Sequence, residues 1–167
     1  MNTNQEIAVF LSDKNIGYMR YQHKPIFTVE DGQEIADALG IEPCKTLFLV
    51  NRQKQPYMLL TVGDKRISLS DFAGQVGSSR LSFASTDELI SYLHSSPGAV
   101  SPLGLVFDRN HKIRLYIDGD VLKKHFIVVH PCVNNESYVF KTPEFINTFL
   151  SAIGHYDYIL FCPISPP

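Results

Sequence analysis

The run Gly98-Ala99-Val100-Ser101-Pro102, followed by the apolar stretch 103–107, has the residue types of a ligand-binding loop. Glycine at its start permits backbone conformations that other residues avoid, and proline at its end stops a regular element. Such a loop presents main-chain N–H and C=O groups without a bulky side chain in the way. Because most loops bounded by glycine and proline are only turns, the pattern indicates a site only where other polar groups converge on it.

Lys45 and His130 are the two polar side chains in apolar surroundings that can converge on this loop. Lys45 begins an apolar strand, where its ammonium group can face an anion or a carbonyl group, or can simply extend into water. His130 ends the apolar run 126–129, and Pro131 after it favours extended backbone there. A neutral imidazole at that position can donate and accept hydrogen bonds in a pocket, although a histidine satisfied within the core is the commoner case.

Cysteine and histidine spacing argues against a metal site and against a cysteine nucleophile. Cys44, Cys132 and Cys162 form no CxxC pair, so neither a zinc ribbon nor a disulfide framework is expected, and a reducing cytoplasm is the expected location. His125 and His130 are an odd number of residues apart on one strand and face opposite sides. Cys132 lies close to His130, but no third group is present to orient such a pair.

Alternating helix and strand signals position these residues. Capping boxes at Thr3, Thr28 and Ser85 begin three helices, residues 70–76 form a short one, and Thr142-Pro143-Glu144 begins the last. The strands, which are apolar runs between turn residues, are predicted at 18–22, 46–50, 57–62, 81–84, 103–108, 113–118, 126–130, 137–140 and 156–161.

The fold expected from this order is α/β: a single domain over residues 1–162, followed by a C-terminal tail at 163–167. Its centre is a mixed central β-sheet of about six or seven strands flanked by helices.

Composition indicates an ordinary folded domain, with 44% hydrophobic and 19% charged residues among 167. No apolar run approaches the roughly 18–20 residues that a membrane span needs, so no membrane partner is expected. Residues 1–6 have neither a basic nor an apolar leader segment, which also favours the cytoplasm. The net charge of −2 means that any nucleic acid has to be held by a local basic patch.

Four motifs together resemble the bacterial prolyl-tRNA editing domains, the superfamily that includes the editing insertion of prolyl-tRNA synthetase and its free-standing relatives. The likeness extends nearly from the first predicted helix to the last, and the motifs occur in the family's order and spacing. They are His23-Lys24-Pro25-Ile26-Phe27-Thr28-Val29-Glu30, Lys45-Thr46-Leu47-Phe48-Leu49, Pro97-Gly98-Ala99-Val100-Ser101-Pro102-Leu103-Gly104-Leu105 and Val129-His130-Pro131.

The resemblance implies a trans-acting aminoacyl-tRNA deacylase, an ester hydrolase that needs no cofactor. Its implied substrate is mischarged tRNA(Pro), and its implied partner is prolyl-tRNA synthetase. The segment 97–105 is most similar to the branch of the family that clears Ala-tRNA(Pro). Lys45, Gly98 and His130 are implied as the catalytic residues. The implied substrate-binding residues are Ile26, Phe27, Thr28, Thr46, Ala99, Val100, Ser101 and Pro102.

Two departures from the family pattern keep alternatives open. Many Ala-clearing relatives have Asn after the lysine, whereas Thr46 here is common in the branch that clears Cys-tRNA(Pro). Asn also commonly follows the His-Pro pair, where this chain has Cys132. A Cys-tRNA(Pro) deacylase and a non-catalytic module that binds tRNA or amino acids therefore remain alternatives, since a fold does not determine a function.

Overall fold

A computed structural model describes residues 1–163 as a single α/β domain, which confirms the predicted fold class. Residues 164–167, most of the predicted tail, lie outside the described residues. The helices are α1 (Thr3–Asp13), α2 (Val29–Leu39), α3 (Leu69–Gln75), α4 (Thr86–Leu93), a 3₁₀ helix (Pro102–Phe107), α5 (Gly119–Leu122), a π-helix (Glu144–Phe149) and α6 (Leu150–Ala152). No helix within residues 1–163 has both the length and the apolar character to cross a membrane.

The strands form two sheets, not the one central sheet that the sequence predicts. They are β1 (Met19–Gln22), β2 (Cys44–Val50), β3 (Pro56–Val62), β4 (Ser82–Phe83), β5 (Arg114–Asp118), β6 (Phe126–Val129), β7 (Glu136–Lys141) and β8 (Ile159–Phe161). One sheet is antiparallel with the order β1-β7-β6, and the other is mixed with the order β4-β2-β3-β5-β8. The larger core cluster joins both sheets to the helices, since it contains Ile7, Phe48, Leu93 and Phe140.

The predicted strand at 103–108 is wrong, because residues 103–107 belong to the 3₁₀ helix and Asp108 is its C-cap. Pro102 supplies the first helical position, and the Ser101 hydroxyl group accepts a hydrogen bond from the Leu103 N–H. Gly104 permits close packing against α4, since a Cβ atom there would lie 2.9 Å from the Leu93 Cβ atom. A short apolar run is typical of a buried strand or of a buried helical turn, so its pattern does not distinguish the two.

Local capping signals correctly predicted the starts of two helices. Thr28 and Ser85 are the N-caps of α2 and α4, each with the expected capping box, while the cap of α1 is Asn2 and not Thr3. The last helical segment also differs from the prediction. The Thr142 hydroxyl group donates to the Lys124 carbonyl oxygen and does not cap the helix, which continues as the π-helix.

Candidate functional site

A cleft of about 350 Å³ lies between the outer edge of β2, the start of α4 and the loop that precedes the 3₁₀ helix. Three of the predicted site residues line it, namely Thr46, Gly98 and Val100. The sequence reasoning missed the rest of the lining: Phe48, Phe83, Ala84, Thr86, Leu89 and Pro97. Alternation along β2 could have identified Phe48, because it shares a face with Thr46.

Hydrogen bonds and buried residues hold the loop at 95–102 in place. The Ser95 hydroxyl group donates to the Ala99 carbonyl oxygen at 2.9 Å, and the Ala99 N–H donates to the Ser96 carbonyl oxygen at 3.1 Å. Gly98 has a φ of +84°, in the region that favours glycine, and is exposed at the cleft. Ala99, Ser101 and Pro102, which the sequence places in the binding loop, are buried. They therefore support Gly98 and Val100 from behind.

Lys45 and Thr46 leave opposite faces of the sheet, because they are consecutive residues of one strand. Thr46 shares its face with Phe48, which belongs to the larger core. Lys45 shares its face with Leu47 and Leu49, which pack in the smaller core cluster. The structure thus brings Thr46, but not Lys45, to the cleft that contains Gly98.

The Lys45 ammonium group is tied to the segment after β3. Its Nζ atom donates to the Lys65 carbonyl oxygen. The pKa of Lys45 is below its usual value because burial disfavours the charged form, and the nearby Asp64 carboxylate partly opposes this. Lys65 itself pairs with Asp118 at 2.7 Å and with Asp120 at 2.6 Å.

His130 lies in a second polar group, beside the turn between β6 and β7. Its Nδ1 atom is 2.8 Å from the Glu136 carbonyl oxygen, so Nδ1 carries the proton and Nε2 is the acceptor in the neutral ring. The His23 ring centre lies 6.1 Å from that of His130, and the His23 Nε2 atom accepts a hydrogen bond from the Ser137 hydroxyl group at 2.9 Å. Burial, and then the nearby His23, lower the pKa of His130, so its neutral form is favoured.

Ile26, Phe27 and Thr28 lie between this second group and the start of α2. Main-chain and side-chain hydrogen bonds join Ile26 to Asn134, with the Ile26 N–H donating at 2.9 Å. The Thr28 hydroxyl group accepts from the Asp31 N–H, so it is used in capping α2. Phe27 is 82% exposed, and none of these three residues lines the cleft at Gly98.

Cys132 connects the two groups but is unsuited to nucleophilic chemistry. Burial raises the pKa of its thiol to about 12, although the Ser95 side chain beside it lowers the pKa somewhat. A thiol with such a pKa is protonated at neutral pH, so no thiolate is present to attack an ester. Since Ser95 also holds Ala99, the segment that carries His130 contacts the base of the Gly98 loop.

The described residues also contain no group of three or more His, Cys, Asp or Glu side chains arranged to hold a metal ion. What the geometry offers is a small cleft with a polar strand edge and a glycine loop. The neutral imidazole group of His130 lies just after β6 in the antiparallel sheet. Lys45 lies on β2, with its side chain on the face opposite to that of Thr46.

Residues 23–148 match the model of a family described as the aminoacyl-tRNA editing domain. The chain is 31% identical over 141 residues to the prolyl-tRNA editing protein ProX of Acetoanaerobium sticklandii. The aligned residues cover 83% of this chain and 85% of that protein. It is 30% identical over 156 residues to prolyl-tRNA synthetase associated domain-containing protein 1 of Xenopus laevis, covering 90% of this chain and 92% of that protein.

A crystal structure of a protein proposed to be a trans-editing enzyme for prolyl-tRNA synthetase has a similar fold. The TM-score is 0.76 over 99% of each chain, with 19% sequence identity. At that identity the similarity shows the fold alone.

Proposed function

The chain belongs to the aminoacyl-tRNA editing domain family, and we propose that it is a trans-acting hydrolase that removes a wrongly attached amino acid from tRNA(Pro). The family match bears out the resemblance of the four sequence motifs. The relative named as a prolyl-tRNA editing protein supports tRNA(Pro) as the substrate. The chain covers most of the length of these relatives, and their printed names support a role alongside prolyl-tRNA synthetase. The cytoplasm is the proposed location.

The observation that carries this proposal is the cleft at Thr46, Gly98 and Val100. Its volume of about 350 Å³ is at the small end of the range for ligand pockets, roughly 300–1,000 Å³. Such a cleft suits an aminoacyl group with a small side chain. Its polar groups are main-chain atoms and hydroxyl groups, as expected of a site that positions an already reactive ester.

The reaction needs water and no covalent enzyme intermediate. The water oxygen bonds to the ester carbonyl carbon, and the carbonyl oxygen becomes an oxyanion. The bond to the ribose oxygen then breaks, and that oxygen takes the proton that the water loses, so the products are free amino acid and tRNA. The protein accelerates the reaction by orienting the reactants and by stabilising the oxyanion.

Gly98 and His130 are assigned to opposite ends of the substrate. The open loop at Gly98 allows the substrate backbone to approach closely, because no side chain intervenes. His130 does not line the cleft in the unbound protein, so it is assigned to the part of the aminoacyl site beyond the cleft, where the Nε2 atom of its neutral ring can accept a hydrogen bond from the substrate. Ile26, Phe27 and Thr28 are assigned to the part of the tRNA end that extends beyond the cleft.

Lys45 is assigned as the cation that stabilises the oxyanion or the adjacent phosphate group. In the unbound protein its ammonium group is on the opposite face of β2, so the side chain has to exchange the Lys65 carbonyl oxygen for the substrate. Lys45 is the second residue of β2 and directly precedes Thr46. Its side chain therefore has to pass only the N-terminal end of the strand to reach the face that carries Thr46.

Size exclusion is the proposed basis of selectivity, with alanine admitted and the proline ring refused. Apolar pockets separate one methylene group by only about 10- to 200-fold, but a ring that does not fit is excluded more strongly. Cysteine is the second candidate substrate. The specific observation in its favour is the Thr46 side chain, which lines the cleft and offers a hydroxyl group to a thiol.

The test is to incubate the protein with tRNA(Pro) charged with Ala, Cys, Ser or Pro and to follow loss of each ester. We expect the alanyl ester to be lost fastest and the prolyl ester to persist. Faster loss of the cysteinyl ester would replace alanine by cysteine as the substrate. If none of the four is lost faster than in buffer, the hydrolase proposal is wrong and a binding module remains.

A further inference from the structure

The cleft runs along a stretch of β2 that has no hydrogen-bonded partner strand on one side among the described residues. β3 pairs with β2 along its whole length, from Cys44 opposite Val62 to Val50 opposite Pro56. On the other side β4 pairs only with Leu49 and Val50, and the chain then leaves to begin α4. Thr46 therefore faces the cleft at this edge.

The main-chain groups of Thr46 point into this gap. The Phe48 carbonyl oxygen accepts from the Ala84 N–H at 3.1 Å, so the peptide groups of Phe48 point towards the β4 side. Alternate residues of an antiparallel strand direct their N–H and C=O groups to the same side, so those of Thr46 do so too. Within residues 1–163, no backbone hydrogen bond outside the strand ladders uses either group. One donor and one acceptor are thus open to the cleft.

An aminoacyl ester carries the complementary pair of groups. Its α-ammonium group is a donor and its carbonyl oxygen is an acceptor, and a single Cα atom separates them. Two residues that face each other in a hydrogen-bonded antiparallel pair have this same arrangement and exchange two N–H···O=C bonds.

We infer that the main chain of Thr46 binds the aminoacyl group as one residue of a β-bridge. The Thr46 C=O accepts from the α-ammonium group, and the Thr46 N–H donates to the ester carbonyl oxygen and to the oxyanion formed from it. This inference rests on the proposed function. It deepens that function by making a main-chain group of Thr46, and not only its side chain, part of the substrate site.

The β-bridge also provides a reason for rejecting proline. Side chains of directly opposed residues lie on the same face of a sheet, so the substrate side chain would lie beside that of Thr46. The ammonium group of alanine rotates freely and can direct an N–H bond at the Thr46 carbonyl oxygen. The proline ring fixes the directions of its two N–H bonds and adds atoms beside the nitrogen.

The decisive variant replaces the Thr46 amide by an ester, through the α-hydroxy analogue of threonine, so that only the N–H is lost. Thr46→Pro removes the same N–H genetically, and proline is tolerated where the N–H lies outside a ladder. Thr46→Val, which keeps the N–H and loses the hydroxyl group, is the matched comparison. Losing one oxyanion donor is expected to lower the rate of Ala-tRNA(Pro) deacylation about 100- to 1,000-fold.

The inference is overturned if the ester variant is folded and deacylates as fast as an active wild type, while Thr46→Val reports separately on the loss of the hydroxyl group. That outcome leaves the proposed function intact. A wild type inactive on all four esters would instead defeat the proposed function, and binding then tests the inference. In that case 3′-alanylamino-3′-deoxyadenosine should shift the Thr46 amide resonance, and the propionyl analogue, which lacks the ammonium group, should bind at least about tenfold more weakly. Equal binding, or no shift, would refute it.

Discussion

Lys45→Ala separates two roles that the structure allows for this lysine. In one role its ammonium group stabilises charge on the substrate. In the other it is a structural tie, because Nζ donates to the Lys65 carbonyl oxygen and so joins β2 to the segment after β3. Both roles predict some effect of the substitution, and the size of each effect distinguishes them.

The structural role predicts a small effect. A hydrogen bond from a charged donor contributes about 1.5–3 kcal/mol, and water can replace part of it at this half-buried position, which leaves a loss of about 1 kcal/mol. A domain of this size then melts about 2–4 °C lower. With a typical unfolding free energy of about 5–15 kcal/mol, nearly all molecules stay folded and the rate barely changes. A catalytic cation predicts a loss of about 100- to 1,000-fold.

The assay is single-turnover deacylation of Ala-tRNA(Pro), with thermal unfolding measured on the same samples. Lys123→Ala is the matched control, because it removes one positive charge from an exposed side chain (79% exposed) and should retain the wild-type rate. We expect Lys45→Ala to lose at least about 100-fold in rate. A rate within about threefold of the wild type, with the lower melting temperature, would refute the catalytic role and leave the structural tie.

Three further predictions concern selectivity, pH and packing. Val100→Gly widens the cleft and should allow measurable loss of the prolyl ester; a prolyl ester that stays intact in a folded, active Val100→Gly protein would contradict size exclusion. Because burial lowers the pKa of His130, the unfolded chain binds more protons than the folded protein below about pH 6.5, and stability falls as the pH decreases. His130→Asn should weaken this pH dependence of the unfolding free energy, measured by urea unfolding at several pH values. An unchanged pH dependence in the variant would contradict this reasoning. Gly104→Ala places a Cβ atom 2.9 Å from the Leu93 Cβ atom and should lower the unfolding free energy by about 1–3 kcal/mol, whereas an unchanged value in calorimetry would show that α4 can move away.

The parts of the fold that short-range chemistry determines could be predicted from the sequence. Thr28 with Asp31 begins α2, Gly40 ends it with a φ of +63°, and the turn near Asn134 joins β6 to β7. Each of these depends on residues within a few positions of one another. The division into two sheets depends on which strands meet across the chain, and nothing in a single strand's pattern specifies that.

The candidate site shows the same limit. Thr46, Gly98 and Val100 line one cleft, whereas Lys45 and His130 stand apart from it in the unbound protein. Strand alternation, read from the sequence, would have placed Lys45 and Thr46 on opposite faces. The lining by α4 and β4 could not have been foreseen, because it depends on how these elements pack against β2.

Even so, one local signal accounts for the gap on which the site depends. Ser85 caps α4 through its hydrogen bonds with Glu88, so the chain must leave the sheet immediately after β4. β4 therefore contains two residues and pairs only with the C-terminal end of β2. A longer β4 would run beside Thr46 and use the same N–H and C=O groups that we assign to the substrate. The capping box at Ser85 thus keeps that strand edge free.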